Sequence, residues 1–457
     1  MSDTWEILRR RCEQSVDEGM EELLEILRIP SISSQGLGRT CAYHMEGLFR
    51  RDGWQAEVVD LGTPNPAVLA SIDLGGGPPA ATLLIYGHYD VQPPEPLEPW
   101  LSPPFEPDIR DGRIYARGSA DNKAQFYCHI LAVRAIRETL CLPVRVKLIL
   151  DGEEEMGSPT MADLVSLRHD ALQADLMLTA DGGIHPSGRP VVTFGCRGVA
   201  ELAIRVRTGN SDRHSGNFGN LHPNAAQRLA QILAEIKGPD GRVRVPGFYD
   251  DIVPPTARER EALRAIPFDA EQMRRSFGAV ALDGPADVHP MERLMFLPTF
   301  NVAGMHSGYT GPGFQTVIPS EAVAYIDIRL AASQDPDKMR KAVADFVAKI
   351  APEATVEPLG HPYLPARTPM ETELAQAVIA GVRTGFGQEP LLYPSVGASG
   401  PKAVFVQGLG IPSLTVPYGN ADEMNHAPNE NMSIACMHAG VRTTAAIACE
   451  LAGGKHR

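Results

Sequence analysis

Three apolar runs in the first half of the chain each lead into a histidine or into carboxylates. Residues 82–86 lead to His88 and Asp90, residues 144–150 lead to the acidic stretch 151–155, and residues 175–178 lead to Asp181. The runs have the composition of buried strands, and helical patterns lie between them. Strands that alternate with helices predict an α/β fold, which binds ligands beyond the carboxyl ends of its strands. We therefore expect these polar residues to converge on one edge of a sheet.

His88 and Asp90 are two residues apart at the end of the first run. Alternate residues of an extended segment point to the same side, so the two side chains can project together. A histidine next to a carboxylate in this way is typical of a metal ligand whose ring the carboxylate orients. A surface-loop histidine beside an unrelated aspartate is the alternative that this pair alone leaves open.

Further acidic residues stand at loop positions that suit either a structural or a chemical role. Asp121 lies where a loop meets a predicted helix, residues 124–140, so it could be an N-cap, a ligand or both. Glu153, Glu154 and Glu155 follow a predicted strand, and such neighbouring carboxylates repel one another unless something positive gathers them. For Glu153 a solvated surface position is an equally simple interpretation.

Length and charge limit the classes of protein that the chain can belong to. With 457 residues it is too long for one compact core, so we expect two domains. The formal net charge of −14 argues against a nucleic-acid partner or an anionic membrane surface. No apolar run is long enough to span a bilayer, and residues 1–11 do not have the pattern of a secretory signal. The seven dispersed cysteines predict reduced thiols in a cytoplasmic protein.

The sequence pattern changes around Phe194. Residues 199–206 alternate between apolar and polar, as an antiparallel strand with one solvated face does. Residues 252–290 are charged and irregular, and their pattern does not identify the elements they form. We predict a discontinuous catalytic domain and an α+β insertion. In sequence these are residues 1–194 for the first part of the catalytic domain, 195–365 for the inserted domain and 366–457 for the second part.

Five segments, in this order, resemble the dinuclear zinc metallopeptidase family of carnosinase, cytosolic non-specific dipeptidase, glutamate carboxypeptidase and acetylornithine deacetylase. The segments are YGHYDVQP, the loop from Trp100 to Pro107 followed by DGRIYARGSADNK, DGEEEMGS, TADGG and MNHAPNE. The second of them looks most similar to the dipeptidase branch. The resemblance implies a zinc-peptidase-like α/β domain, with a mixed sheet flanked by helices, and an inserted α+β lid and dimerisation domain.

The resemblance also implies the ligands of two divalent metal ions. His88, Asp121 and Asp181 would hold one ion. Asp121, Glu155 and His426 would hold the other, with Asp121 bridging the two. Zn²⁺ is the first expectation, and Mn²⁺ or Co²⁺ suit the same ligands.

The catalytic residues follow from the same resemblance. In the family the ligand is the glutamate two residues before the glycine of its motif, which selects Glu155 because Gly157 follows Met156. Glu154 would then be the general base, and Asp90 would steer the metal-binding histidine. Glu153 would lie outside the site.

Four residues of the later segments resemble one further catalytic residue and three substrate contacts. His214 stands in a segment whose histidine reaches the partner subunit's active site and stabilises the tetrahedral intermediate, which implies a catalytic role in trans and a homodimer. Arg329 would bind the substrate carboxylate, and His361 and Ser399 look like further contacts. A structural ion pair for Arg329 and a turn position for Ser399 remain alternatives.

The sequence departs from the family at two positions near these segments. Ala124 stands where glycine is common, and Gly400 stands where a bulkier apolar residue is usual. Neither change removes a catalytic group, but the second could alter the substrate pocket.

These residues together predict metal-dependent hydrolysis of an amide bond in dipeptides or short peptides. An N-acyl amino acid deacylase or desuccinylase would use the same metals and base, so both substrate classes remain open. A non-catalytic metal-dependent binding protein is a third possibility, which the presence of Glu154 disfavours. A nucleotide-binding enzyme is not expected, because no glycine-rich phosphate loop follows the first strand. We expect no nucleic acid and no membrane as partners.

Overall fold

A computed structural model describes residues 3–453 of the chain. The helices of this part are α1 Asp3–Leu27, α2 Gly38–Arg51, α3 Ala124–Thr139, α4 Met161–Leu167, α5 His169–Leu172, α6 Ser215–Phe218, α7 Ala225–Ile236, α8 Ala257–Ala265, α9 Ala270–Ser276, α10 Pro290–Phe296, α11 Pro336–Ile350, α12 Glu373–Phe386, α13 Lys402–Gly408 and α14 Ile434–Gly453. The strands are β1 Gln55–Val59, β2 Ala67–Asp73, β3 Ala81–His88, β4 Asp108–Arg110, β5 Arg113–Tyr115, β6 Val144–Asp151, β7 Leu176–Thr179, β8 Val191–Thr193, β9 Gly195–Cys196, β10 Gly198–Arg207, β11 Arg213–His214, β12 Asn301–Ser307, β13 Val317–Ile318, β14 Glu321–Leu330, β15 Ala354–Tyr363, β16 Ala366–Arg367, β17 Leu391–Tyr393, β18 Ser413–Thr415 and β19 Asn431–Ser433.

The first and largest sheet is mixed and has eight strands, in the order β1-β2-β6-β3-β7-β18-β8-β17. β3 runs parallel to both β6 and β7, and β7 runs parallel to β18. β2 is antiparallel to β1 and β6, which makes the sheet mixed. The predicted α/β architecture with a mixed sheet is therefore confirmed. The carboxyl ends of β3, β6 and β7 meet at one edge, as the sequence predicts.

The residues of β3 alternate between two cores, because successive side chains of a strand point to opposite faces. Leu83 and Ile85 belong to the core that includes residues of α1, α3 and α14, whereas Leu84 and Tyr86 belong to the core that includes residues of α4 and α13. All four are at most 3% exposed. Burial of each such side chain stabilises the fold by about 1.5–3 kcal/mol, which fixes the strand end that carries His88.

A second, four-stranded antiparallel sheet has the order β12-β14-β10-β15. In β10 the apolar residues Leu202, Ile204 and Val206 are buried, while Glu201 and Arg205 are exposed. The strand is antiparallel to both of its neighbours, as predicted, but the alternation is incomplete, because Val199 and Ala203 are buried on the face of Glu201 and Arg205. Helices α7 and α11 contribute to the core of this sheet, which is separate from the cores of the first sheet.

A two-stranded pair, β9 with β16, joins the two sheets in sequence and lies at the predicted limits of the insertion, residues 195 and 365. The division of the chain into the three ranges remains a prediction. Residues 252–290, whose elements the sequence pattern does not identify, contain α8 and α9. The end of α8 packs with α10 and with Tyr393 of the first sheet. No helix within residues 3–453 is both long and apolar enough to cross a bilayer.

Candidate metal centre and substrate cavity

The edge of the first sheet brings five side chains into two groups that share one aspartate. His88, Asp121 and Asp181 form one group, and Asp121, Glu155 and His426 form the other. The potential ligand atoms within each group lie within 4.8 Å of one another. The residues come from the ends of β3, β6 and β7, from the turn before α3 and from the loop after β18. The structure thus brings together all five of the residues that the sequence analysis named as metal ligands.

The two carboxylate oxygens of Asp121 face different histidines. Oδ1 lies 3.0 Å from Nε2 of His88, and Oδ2 lies 3.0 Å from Nε2 of His426. Nε2 of His426 is also 3.1 Å from Oε2 of Glu155. A carboxylate between two groups in this way has the arrangement that a bridging ligand requires.

The side chains present fit two divalent cations. Nε2 of His88 is buried and forms no hydrogen bond with the described residues, even though a carboxylate oxygen is near. Such a nitrogen is costly to bury unless another partner, such as a metal ion, takes its lone pair. Imidazole and carboxylate groups together suit Zn²⁺, Mn²⁺ and Co²⁺.

Burial and mutual repulsion disturb the acid–base properties of this cluster. Burial and, to a smaller extent, the charge of Asp121 together raise the pKa of Asp181 to about 6. Hydrogen bonds to Asp121 and Glu155 raise the pKa of His426 to about 10. Crowded carboxylates of this kind are stabilised when cations lie between them.

Asp90 fixes two parts of the centre at once. Its carboxylate oxygens accept hydrogen bonds from the backbone N–H groups of Glu154, at 3.2 Å, and Glu155, at 3.1 Å. Nδ1 of His88 lies 3.1 Å from the carbonyl oxygen of Asp90 and 3.4 Å from its Oδ1. The expected contact with the histidine is present, and the hold on the glutamate turn is an additional role that the sequence did not indicate.

The three consecutive glutamates have three different environments. Glu153 is buried and accepts a hydrogen bond from Oγ1 of Thr160 at 2.7 Å, so the solvated-surface interpretation is wrong for this residue. Glu154 lines a cavity and belongs to neither metal-binding group. Burial raises the pKa of Glu154 to about 8, against the opposing charge of His88. Glu155 belongs to the second group, and its Oε2 accepts a hydrogen bond from Gln92 at 3.0 Å.

Asp121 is held by a residue for which the sequence analysis gave no role. Glu430 is fully buried, and its Oε1 accepts hydrogen bonds from the N–H groups of Ala120 and Asp121, both at 2.9 Å. Its Oε2 accepts from Gly118 N at 3.0 Å and from Arg117 Nη1 at 2.6 Å. Glu430 and Arg117 both belong to the segments that carry the family resemblance, but no local pattern shows that the two residues meet.

The N-cap interpretation of Asp121 is wrong. Helix α3 begins after Lys123, and no side chain caps its first turn. Asp121 instead has extended backbone within the short turn Ser119–Lys123. The next residue, Asn122, donates from Nδ2 to the carbonyl oxygen of Ala180 at 2.6 Å. This contact ties the turn to the segment that carries Asp181.

The residues expected to contact substrate lie in different places. Nη1 of Arg329 donates to Oγ of Ser399 at 3.0 Å, and Arg329 Nε lies 3.4 Å from Oδ1 of Asp327. His361 is exposed on β15. His214 is exposed as well, with its ring nitrogens near Gly216 N, at 3.0 Å, and Thr316 Oγ1, at 3.2 Å.

A cavity of about 530 Å³ opens beside the metal centre. Its lining includes Asp121, Asp181 and His426 of the metal-binding groups, together with Glu154. Ser399 lines it as well, and so does Lys402, which no motif of the sequence indicates. Neither His214 nor His361 is among the described residues that line this cavity.

Comparison with known proteins finds similarity over nearly the whole chain. The family model described as Peptidase family M20/M25/M40 matches residues 84–450. The human Beta-Ala-His dipeptidase is 28% identical over 461 aligned residues, which cover 98% of this chain and 89% of that protein. The Cysteinylglycine-S-conjugate dipeptidase of Corynebacterium striatum is 29% identical over 352 residues, 75% of this chain and 74% of that protein. The crystal structure of an M20 family metallo-carboxypeptidase from Sulfolobus solfataricus is 31% identical, with a TM-score of 0.84 over 95% of this chain and 99% of that chain.

Proposed function

The chain belongs to peptidase family M20/M25/M40, and from this premise we propose the reaction and the residues that perform it. The relatives are dipeptidases and a metallo-carboxypeptidase, so the protein is a metal-dependent enzyme that hydrolyses dipeptides. The finer proposal is a centre of two divalent ions, Zn²⁺ first, held by the two groups that share Asp121. The observation that carries it is the position of Asp121, with one carboxylate oxygen toward each histidine.

Glu154 is the proposed general base. Two divalent ions, when bound, lower the pKa of a shared water and polarise the scissile carbonyl. Glu154 takes a proton from the attacking water and gives it to the leaving amine. A carboxylate near cations is a weak base, and burial, which raises the pKa of Glu154 to about 8, opposes that weakness.

Arg329 and Ser399 are proposed to bind the carboxylate of the leaving amino acid. The guanidinium of Arg197 lies buried nearby, where burial and the charge of Arg329 lower its pKa to about 10. The guanidinium groups of Arg197 and Arg329 have two positive charges against the one negative charge of the partly exposed Asp327. This excess of positive charge favours the binding of a further anion. His361 is proposed to join these contacts when the two sheets close around the substrate.

A homodimer is part of the proposal, with His214 acting on the partner's centre. His214 is exposed and does not line the cavity of its own chain among the described residues. The edge strand β12 exposes Val302 by 40% and Met305 by 54%, and Phe314 is exposed by 88%. A second copy on this side would cover such apolar groups and could bring His214 to the oxyanion of the partner's site. The seven cysteines are all free, which favours the cytoplasm as the proposed location.

The test of the proposed reaction is metal removal. Dialysis against a chelator should abolish hydrolysis of a dipeptide panel, and addition of Zn²⁺, Mn²⁺ or Co²⁺ should restore it, because the proposed reaction depends on metal ions to activate the attacking water. Metal content is measured on the same samples. Hydrolysis that continues at full rate with metal content near zero would contradict the proposal.

A further inference from the structure

Lys402 places a positive charge in the wall of the catalytic cavity. It is half-buried, lines the cavity with Glu154 and Asp181, and forms no ion pair with a carboxylate among residues 3–453. Burial raises the pKa of Asp181, and the Lys402 ammonium acts in the opposite direction. Burial likewise raises the pKa of the Cys196 thiol, and Lys402 again opposes it. Lys402, Asp181 and Cys196 thus line one cavity.

The cavity has free space next to this charge. Gly400 also lines the cavity, and a Cβ atom added to it would meet no atom within 4 Å. The position where a bulkier apolar side chain is usual in the family is thus open. A substrate group can occupy this part of the cavity, whose lining also contains Lys402, without displacing protein atoms.

The charges of the other lining residues leave Lys402 without a counterion. The carboxylates that line the cavity are Asp121 and Asp181, which belong to the metal-binding groups, and Glu154, the proposed general base. His185 is the other basic residue of the lining outside the centre, and burial lowers its pKa, which favours the neutral ring. Tyr393 and Val396 are uncharged at neutral pH. An anionic substrate group would find one unpaired cation here, whereas the ammonium of a substrate would find no free carboxylate among the described residues.

We propose that the acyl portion of the substrate carries its own carboxylate, which binds Lys402. This inference rests on the proposed function, in which Arg329 and Ser399 hold the carboxylate of the leaving amino acid and leave the rest of the cavity to the acyl side. The substrate class is an amide with an acidic acyl group, either a dipeptide with an acidic first residue or a dicarboxylic N-acyl amino acid. A charge-assisted hydrogen bond in a partly desolvated cavity gives a preference of about 10–100-fold over a neutral isostere.

Three matched substrates separate the effect of the charge from the effect of the amine. Glu-Ala and Gln-Ala differ only in the side-chain charge, and N-glutaryl-Ala is Glu-Ala without the α-amino group. The metal-loaded protein should hydrolyse Glu-Ala with a kcat/KM about 10–100-fold above that of Gln-Ala. Hydrolysis of N-glutaryl-Ala at a rate comparable to that of Glu-Ala would show that the carboxylate belongs to an N-acyl group. If N-glutaryl-Ala is not hydrolysed, the carboxylate belongs to the first residue of a dipeptide. Either result supports an acidic acyl group when the Glu-Ala or N-glutaryl-Ala rate exceeds that of Gln-Ala.

Variants of Lys402 test whether this residue causes the preference. Lys402→Met should reduce the ratio of Glu-Ala to Gln-Ala to about one, while Lys402→Arg should retain most of it because the charge remains. Lys402→Gln is a second neutral variant for the case in which methionine prevents folding. Lys341→Met is the matched control, since Lys341 is 74% exposed on α11. This control should leave the ratio unchanged.

Binding measurements distinguish failure of this inference from failure of the proposed function. Calorimetry with Glu-Ala and Gln-Ala on the Zn²⁺-loaded Glu154→Gln protein reports the preference without turnover. Tighter binding of Glu-Ala that Lys402→Met removes supports the inference, even if no variant or wild-type protein hydrolyses either dipeptide. Equal binding of the two dipeptides, or a preference that Lys402→Met leaves intact, overturns it.

Discussion

At the scale of single residues, the buried carboxylate of Glu430 holds the turn that carries the shared aspartate. It accepts four hydrogen bonds, from Arg117 and from the N–H groups of Gly118, Ala120 and Asp121. Arg117 is only 1% exposed, and its ion pair with Glu430 compensates the burial of its charge. The position of Asp121 therefore follows from an ion pair that lies outside both metal-binding groups.

Glu430→Gln should destabilise the protein and weaken metal binding together. The amide nitrogen of glutamine would face donors, and Arg117 would keep a buried charge without an anion, which costs about 3–5 kcal/mol. Urea unfolding and metal content per chain measure the two effects. Glu21→Gln is the control, because Glu21 is 69% exposed in its pair with Arg28, and removal of such a pair costs less than about 1 kcal/mol. A Glu430→Gln protein as stable and as metal-rich as the wild type would contradict this account.

The sequence was sufficient to predict the residues of the centre but not the contacts that hold them. His88, Glu155 and Asp181 follow strands with clear apolar patterns, so their convergence on one sheet edge could be predicted. Glu430 and Arg117 meet only in the folded chain, and no local pattern distinguishes a buried ion pair from two surface charges. The burial of Glu153 could not be predicted for the same reason, because its hydrogen-bond partner, Thr160, lies outside the acidic run.

At the scale of elements, helix α8 shows why the region 252–290 escaped prediction. The helix is rich in charged residues, and its apolar periodicity is too weak to identify it. A local signal was nevertheless present, because Thr256 and Glu259 form a capping box in which each side chain binds the backbone N–H of the other. Glu259 also binds Arg367, which lies far away in sequence. By contrast, α11 has a capping aspartate, a proline in its first turn and buried apolar residues at helical spacing, Met339, Val343 and Val347, all of which are local signals in the sequence.

Thr256→Ala should lower the free energy of unfolding by about 0.5–2 kcal/mol, because it removes the N-cap of α8. Chemical denaturation measures the change. The matched control is Thr40→Ala, at an exposed position of α2, where alanine has the higher helix propensity and a small stabilisation is expected. Equal effects at the two positions would show that the capping box contributes nothing to stability.

At the scale of the whole molecule, the chain forms two sheets with separate cores, and the expected dimer would connect their functions. The cavity lies at the edge of the first sheet. His214 lies in the short strand β11, which comes after β10 of the second sheet in the sequence. No property of one sequence shows which surface a second copy covers, so the resemblance alone indicated the dimer. The exposed apolar side chains of β12 now support this proposal.

Subunit complementation tests the dimer. His214→Ala and Glu154→Gln should each be nearly inactive alone, since an oxyanion donor is worth about 10²–10³ in rate and the base is essential. Hybrids formed by random exchange should restore about a quarter of the wild-type sites, because one site of each hybrid combines an intact Glu154 with the partner's intact His214. Tagged co-purification verifies that hybrids form. Hybrids without activity, or a fully active monomer, would contradict the proposal.

The most direct test of the account is a paired measurement on two adjacent glutamates. Metal content and dipeptide turnover are determined for the wild type, Glu154→Gln and Glu155→Gln under identical loading. The account predicts about two ions per chain in the wild type and in Glu154→Gln, with turnover abolished in the latter because only the base is lost. It predicts that Glu155→Gln loses one of the two ions. If Glu154→Gln loses metal while Glu155→Gln retains both ions, the roles of base and ligand are reversed, and the proposed centre is wrong.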